Sequence, residues 1–108
     1  MNRYFMNKLS STQRSFLRSQ AHHLDPVVLI GKNGITDGTI EAVNKALNAR
    51  ELIKIKFREF QDHKQSISDE IAASANCQVV GMIGHTVILF RQISDPEKQN
   101  IRLPGIKE

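Results

Sequence analysis

With 108 residues, 40% of them hydrophobic and 24% charged, the chain can fill one hydrophobic core but not two, and it is too apolar for wholesale disorder. Its 15 Lys and Arg against 11 Asp and Glu leave a formal net charge of +4, a surplus that favours a polyanionic partner without identifying one. The single cysteine, Cys77, excludes an internal disulfide, and no apolar run reaches the length of a membrane span (about 18 residues) or of a secretory signal, so the cytoplasm is the expected compartment.

Residues 1–8 read as an N-terminal extension. Ser10, Ser11 or Thr12 can cap a first helix carrying Phe16, Leu17, Ala21 and Leu24 at helical spacing, with Gln13, Arg14, Arg18 and Gln20 elsewhere around it. The helix should end before Pro26, which disfavours helical backbone in the residue ahead of it. Val27-Val28-Leu29-Ile30 follows, an apolar and largely β-branched run closed by Gly31, and predicts a strand buried on both faces. A turn leads into a second helix starting at Thr36 or Asp37, with Ile40, Val43, Ala46 and Leu47 inward and Glu41, Asn44, Lys45 and Asn48 outward.

From Leu52 to Arg58 the pattern changes to period two. Ile53, Ile55 and Phe57 alternate with Lys54, Lys56 and Arg58, which predicts a strand with one face in the core and a row of three cations on the other. Strand, helix and strand in succession imply a crossover with the two strands parallel. Gln61–Ser68 is polar and reads as a loop, followed by a short third helix through Ile67, Ile71, Ala72 and Ala75. Two apolar strands, Val79–Ile83 and Val87–Phe90, are separated by Gly84-His85, a hairpin connection. Past Ser94 the chain turns polar. Residues 9–94 are therefore read as the domain and 95–108 as a tail that Ile101, Leu103 and Ile106 can dock.

The segment best suited to function is Gly31-Lys32-Asn33-Gly34, between a strand and a helix start. Two glycines three apart allow positive φ and a close ligand approach, Asn33 tolerates the left-handed region, and Lys32 places a charge at the tip. Unpaired amides at the next helix start, with the helix dipole, favour an anion. Such a loop suits a phosphate of a nucleic-acid backbone, as the G-x-x-G loop of KH modules does. A tight strand-to-helix turn is the plainer alternative for the same four residues. Neither the nucleotide P-loop pattern nor a dinucleotide fingerprint is present. Arg14, Arg18, Lys54, Lys56 and Arg58 can extend the loop into one basic surface where their elements share a side.

Catalytic and metal chemistry find less support. His22, His23, His63 and His85 show no metal-ligand spacing with Cys77, which reads as a small core residue, and Asp37 and Glu41 read as first-turn helix acids. No cofactor, metal, membrane or small-molecule substrate is expected, and the chain is read as a non-enzyme and a monomer.

Several strings in order carry a family resemblance. Leu17-Arg18 through Ala21-His22-His23-Leu24, Pro26-Val27-Val28 through Ile30-Gly31-Lys32-Asn33-Gly34-Ile35-Thr36, then Glu51-Leu52-Ile53-Lys54-Ile55-Lys56, and finally Val79-Val80 through Gly84-His85-Thr86-Val87-Ile88-Leu89-Phe90-Arg91 resemble the YhbY family of stand-alone CRM domains, over roughly residues 9–103 and including Ile101-Arg102-Leu103-Pro104. The resemblance implies an α+β fold of two-layer type, α-β-α-β-α-β-β with a four-stranded mixed sheet, similar to the C-terminal domain of bacterial translation initiation factor three. It also implies binding of ribosomal RNA in precursors of the large ribosomal subunit, with Gly31, Lys32, Asn33 and Gly34 as the family's G-x-x-G loop and Lys54 and Lys56 in its basic strand. Arg50, His85 and Phe90 depart from the usual family residues and leave the fold expectation intact. With one Tyr, no Trp and five Phe, most of the latter assigned to the core, the chain lacks the stacking platform of an RRM, so backbone and shape recognition is expected. The competing expectation is a factor that docks on a ribosomal protein without touching RNA.

Overall fold

A computed structural model describes residues 9–104. The expected extension 1–8 and the docking residue Ile106 lie outside them. The first helix, α1 (Ser11–Ala21), starts at Ser10, whose hydroxyl accepts from the Gln13 amide while the Gln13 side chain accepts from the Ser10 amide. This reciprocal cap satisfies two amides that the first turn cannot. After β1 (Val28–Ile30), α2 (Asp37–Arg50) begins in the same way at Thr36, with Thr39 as the reciprocal partner. Strand β2 (Leu52–Phe57) follows, then a 3-10 turn (Gln61–His63), α3 (Lys64–Ala75), β3 (Gln78–Ile83) and β4 (Thr86–Phe90).

The sheet order is β1-β2-β4-β3, with β1 parallel to β2 and the other pairs antiparallel. The mixed four-stranded sheet and the α+β class are thus as expected. The expected two layers become three, because the pleat of β2 supplies two cores. Ile53, Ile55 and Phe57 face Val43 and Leu47 of α2 and Ile71 and Ala75 of α3, while Leu52, on the opposite side, joins Leu17 and Ala21 of α1 with Val80, Ile88 and Phe90. Helices therefore flank both faces of the sheet.

Two expectations need correcting. Strand β1 is an edge strand buried on one face only: Val28 and Ile30 are buried, whereas Val27 is 41% and Leu29 53% exposed. Helix α3 starts at Lys64, inside the stretch expected to be a loop; its first turns are polar because they face solvent, and only Ser68, Ile71 and Ala75 along it are buried.

One end of the sheet is closed around Glu51 and Arg91, to which sequence reasoning gave no structural role, and by Ile101 and Leu103, which it expected to dock. Glu51, completely buried, caps α2 with φ 65 and donates its amide to the Leu47 carbonyl. Its carboxylate accepts from the amides of Ile93 (2.6 Å), Asn100 (2.7 Å) and Ile101 (2.8 Å). Three amide donors offset the several kcal/mol that desolvating a carboxylate costs. Ile101 and Leu103 consequently pack on the α1 side of the sheet, and the Gln13 side chain donates to the Pro104 carbonyl. Arg91, just after β4, donates to Asn44 Oδ1 (2.8 Å), Asn48 Oδ1 (2.9 Å) and the Ala75 carbonyl (2.5 Å), tying α2 to the last residue of α3.

Candidate nucleic-acid interface

Gly31–Gly34 lies at the opposite end of the sheet, beyond Ile30 of β1. The Gly34 amide donates to the Gly31 carbonyl (3.0 Å), closing a tight turn. Of the two glycines only Gly34 has positive φ, 63°, so the left-handed conformation falls at one position and not at both. Gly31 has open space where a side chain would project. Lys32 and Asn33 are exposed at the tip.

The helix start behind the loop is less available to an anion than its sequence suggests. The amide of Thr39 is already taken by the Thr36 hydroxyl and that of Thr36 by the Thr39 hydroxyl, and Asp37 places a carboxylate in the first turn. Lys32, at the exposed tip, is the basic group of the loop itself.

The basic strand converges on the loop at its far end. Arg58 follows β2, and its amide donates to the Ile30 carbonyl (2.9 Å), which also accepts from Glu59. Arg58 is thereby held one residue from Gly31, with its side chain exposed. The hairpin tip shares this end: the Phe57 amide donates to the His85 carbonyl (2.8 Å), and Lys64 at the start of α3 donates to the Gly84 carbonyl and lies 3.3 Å from His85 Nδ1. Gly84, φ 59, occupies the first position of the two-residue connection, where positive φ matches the twist of the flanking strands. Lys32, Arg58 and Lys64 thus surround one end of the sheet, interspersed with Asp37, Glu59 and Asp62.

Not all the expected cations join them. Lys54 is half-buried and donates to the Leu24 carbonyl (3.0 Å), fastening the chain beyond α1; Lys56, two residues on, is exposed. Arg14 departs further. One of its guanidinium nitrogens donates to the carbonyls of Val79 (2.9 Å) and Val80 (3.0 Å), where β3 bulges. That is the sheet edge opposite β1, the strand that leads into the loop. Arg18 is exposed but lies along Gly81 of the same strand, its Cδ 3.5 Å from where a Cβ would sit.

Sequence reasoning also missed a row across the sheet. Leu29 pairs with Lys56, Lys56 with Thr86 and Thr86 with Ile83, one residue from each strand. They lie on the α1 side of the sheet, and Leu29 (53%) and Ile83 (55%) are exposed. An exposed Leu and Ile bracket the exposed Lys56 beside the G-x-x-G loop. The signal was present in the alternation of β2, but the apolar run of β1 hid it.

Cys77 is buried, and burial raises its thiol from 9.0 to about 11, with Arg91 opposing the shift; such a thiol is a poor nucleophile. Among the described residues no group of three or more His, Cys, Asp or Glu is placed to hold a metal ion, and no helix is long and apolar enough to cross a membrane.

Comparison with known proteins places this geometry in context. Residues 9–91 match the model of the CRS1 / YhbY (CRM) domain. The chain is 36% identical over 97 residues to the Bacillus subtilis protein named Probable RNA-binding protein YqeI, covering 89% of this chain and 99% of that one. It is 40% identical over 100 residues to a Haemophilus influenzae protein named RNA-binding protein, covering 92% and 98%. The solution structure of the hypothetical protein SAV1595 of Staphylococcus aureus, proposed to bind RNA, superposes with a TM-score of 0.75 at 31% identity, covering 90% of this chain and all of that one.

Proposed function

The chain belongs to the CRS1 / YhbY (CRM) domain family, and from that membership we propose that it binds RNA without catalysing a reaction, at the end of the sheet carrying Gly31, Lys32, Asn33 and Gly34. The RNA is ribosomal, within precursors of the large subunit, and the protein acts during ribosome assembly in the cytoplasm as a monomer. The observation that carries the site is the Arg58–Ile30 hydrogen bond, which delivers the cationic side of β2 to the loop. Lys32, Lys56 and Arg58 supply the phosphate contacts, each releasing counterions from the RNA. Arg18 and Lys54 contribute at the margin, while Arg14 supports the fold.

Salt-dependent binding to ribosomal RNA fragments tests this reading. Lys32→Ala with Lys56→Ala is expected to lower the slope of log K against log salt by about two, roughly one for each phosphate no longer neutralised. An unchanged slope contradicts it.

The alternative, docking on a ribosomal protein without RNA contact, draws on the exposed Val27, Leu29 and Ile83. Filter binding to purified, protein-free ribosomal RNA fragments separates the two. Retention of the RNA supports the first reading, and its passage through the filter supports the second.

A further inference from the structure

Phe60 is the residue whose sequence and conformation agree least. It stands in the left-handed region, φ 57, where Gly or Asn would sit with little strain and a bulky aromatic is rare. Core packing does not account for it, because the side chain is 43% exposed. Phe57 and Phe90 are buried and Phe16 packs against the α1 cluster, so among the described phenylalanines Phe60 alone is exposed. Its ring lies against the G-x-x-G loop, with Cε2 3.5 Å from where a Cβ on Gly34 would be. It lines an open cleft of about 330 Å³ formed by residues 58–63, which include Arg58 and His63 together with Glu59 and Asp62. Strained backbone holding an exposed aromatic beside cations is the pattern of a contact residue, not of a packing residue.

Building on the RNA-binding reading above, we infer that Phe60 is the stacking wall of a subsite for one unpaired nucleobase, adjoining the phosphate contacts of the loop. The chemistry follows from the neighbours. Arg58 and Lys32 hold the backbone on either side of a nucleotide, and the ring presents a π-face to its base, a contact that tolerates any of the four bases. Bases inside an A-form duplex have no free face to offer. The subsite therefore selects single-stranded or bulged RNA over a continuous duplex, and adds a base contact to the backbone and shape recognition that composition alone suggested.

The test compares a short mixed-sequence single-stranded RNA oligonucleotide with a duplex of the same length, using the full chain. Phe60→Asn suits the left-handed backbone, so the fold is kept while the ring is lost. It is expected to weaken single-strand binding about tenfold and to leave duplex binding and the salt slope unchanged. Phe60→Trp restores the wild-type affinity, and because the chain has no tryptophan its emission reports the site alone and is quenched as the oligonucleotide binds. The inference is overturned if Phe60→Asn binds the single strand like wild type, or loses both RNAs equally, or if the Phe60→Trp emission stays constant while anisotropy shows saturation. A Phe60→Asn protein that matches wild type leaves the RNA-binding reading standing, whereas a wild-type chain that binds neither RNA brings down both.

Discussion

The two ends of the sheet use charged residues for opposite purposes. At the end where α2 meets β2, Glu51 and Arg91 turn inward, the one to the amides of Ile93, Asn100 and Ile101 and the other to Asn44, Asn48 and the Ala75 carbonyl. At the other end Lys32, Lys56 and Arg58 point into solvent beside Gly31–Gly34. Charge alone therefore does not distinguish scaffold from interface. The distinguishing feature is whether a charged group has backbone carbonyls or amides to meet within the fold, and the closed end supplies them from the segment after β4 and from the ends of α2 and α3.

Removing Glu51 should give the largest effect. Glu51→Ala leaves the amides of Ile93, Asn100 and Ile101 without their acceptor, and denaturant titration is expected to show a loss of about 3–5 kcal/mol. A loss below 1 kcal/mol would mean that water replaces the carboxylate and that the closed end is weaker than described. Arg91→Ala comes next, at about 2–3 kcal/mol, since it releases Asn44, Asn48 and the Ala75 carbonyl together.

The Lys32→Ala, Lys56→Ala pair should reverse the pattern, lowering RNA affinity about tenfold at low salt with unfolding unchanged to within about 0.5 kcal/mol. Arg14→Ala sharpens the comparison, because it was expected to belong with those lysines. Its bonds to Val79 and Val80 predict a stability loss of about 1–2 kcal/mol and an unaltered salt slope in RNA binding.

The smallest effect concerns Cys77. Its thiol is raised from 9.0 to about 11, so between those values the unfolded chain loses a proton that the folded chain keeps. Stability should then fall as pH rises from 9 to 11, by a contribution absent below pH 9. The difference between wild-type and Cys77→Ala unfolding curves isolates it, and a difference independent of pH would exclude it.

Much of this was legible in the sequence because it is local. The capping of α1 and α2, the inward stripe of α2, the alternation of β2 and the turn between β3 and β4 depend on neighbours a few residues apart. What the sequence hid depends on distant partners. Val27-Val28-Leu29-Ile30 looks like a strand covered on both sides, and only the strand order reveals it as an edge with Leu29 uncovered. Arg14 and Lys54 carry no local sign that one meets a bulge and the other the chain beyond α1. Glu51 is a charged residue in a position where charge is rarely buried, and three amides from a segment some 40 to 50 residues later make burial tolerable. At the loop, the spacing of the two glycines marked a turn, and of the two Gly34 takes the positive φ. That spacing did not reveal that Thr36 and Thr39 would take each other's amides, nor that Phe60 would stand against the turn.

The most direct test of the two-ended description is an amide chemical-shift titration of the full chain with a protein-free ribosomal RNA fragment. The account predicts that perturbations concentrate at residues 31–34, 56–60 and 83–86, while the amides of Ile93, Asn100 and Ile101, held by Glu51, stay in place. Perturbations centred on α1 and on residues 93–103, with the Gly31–Gly34 loop unmoved, would contradict it.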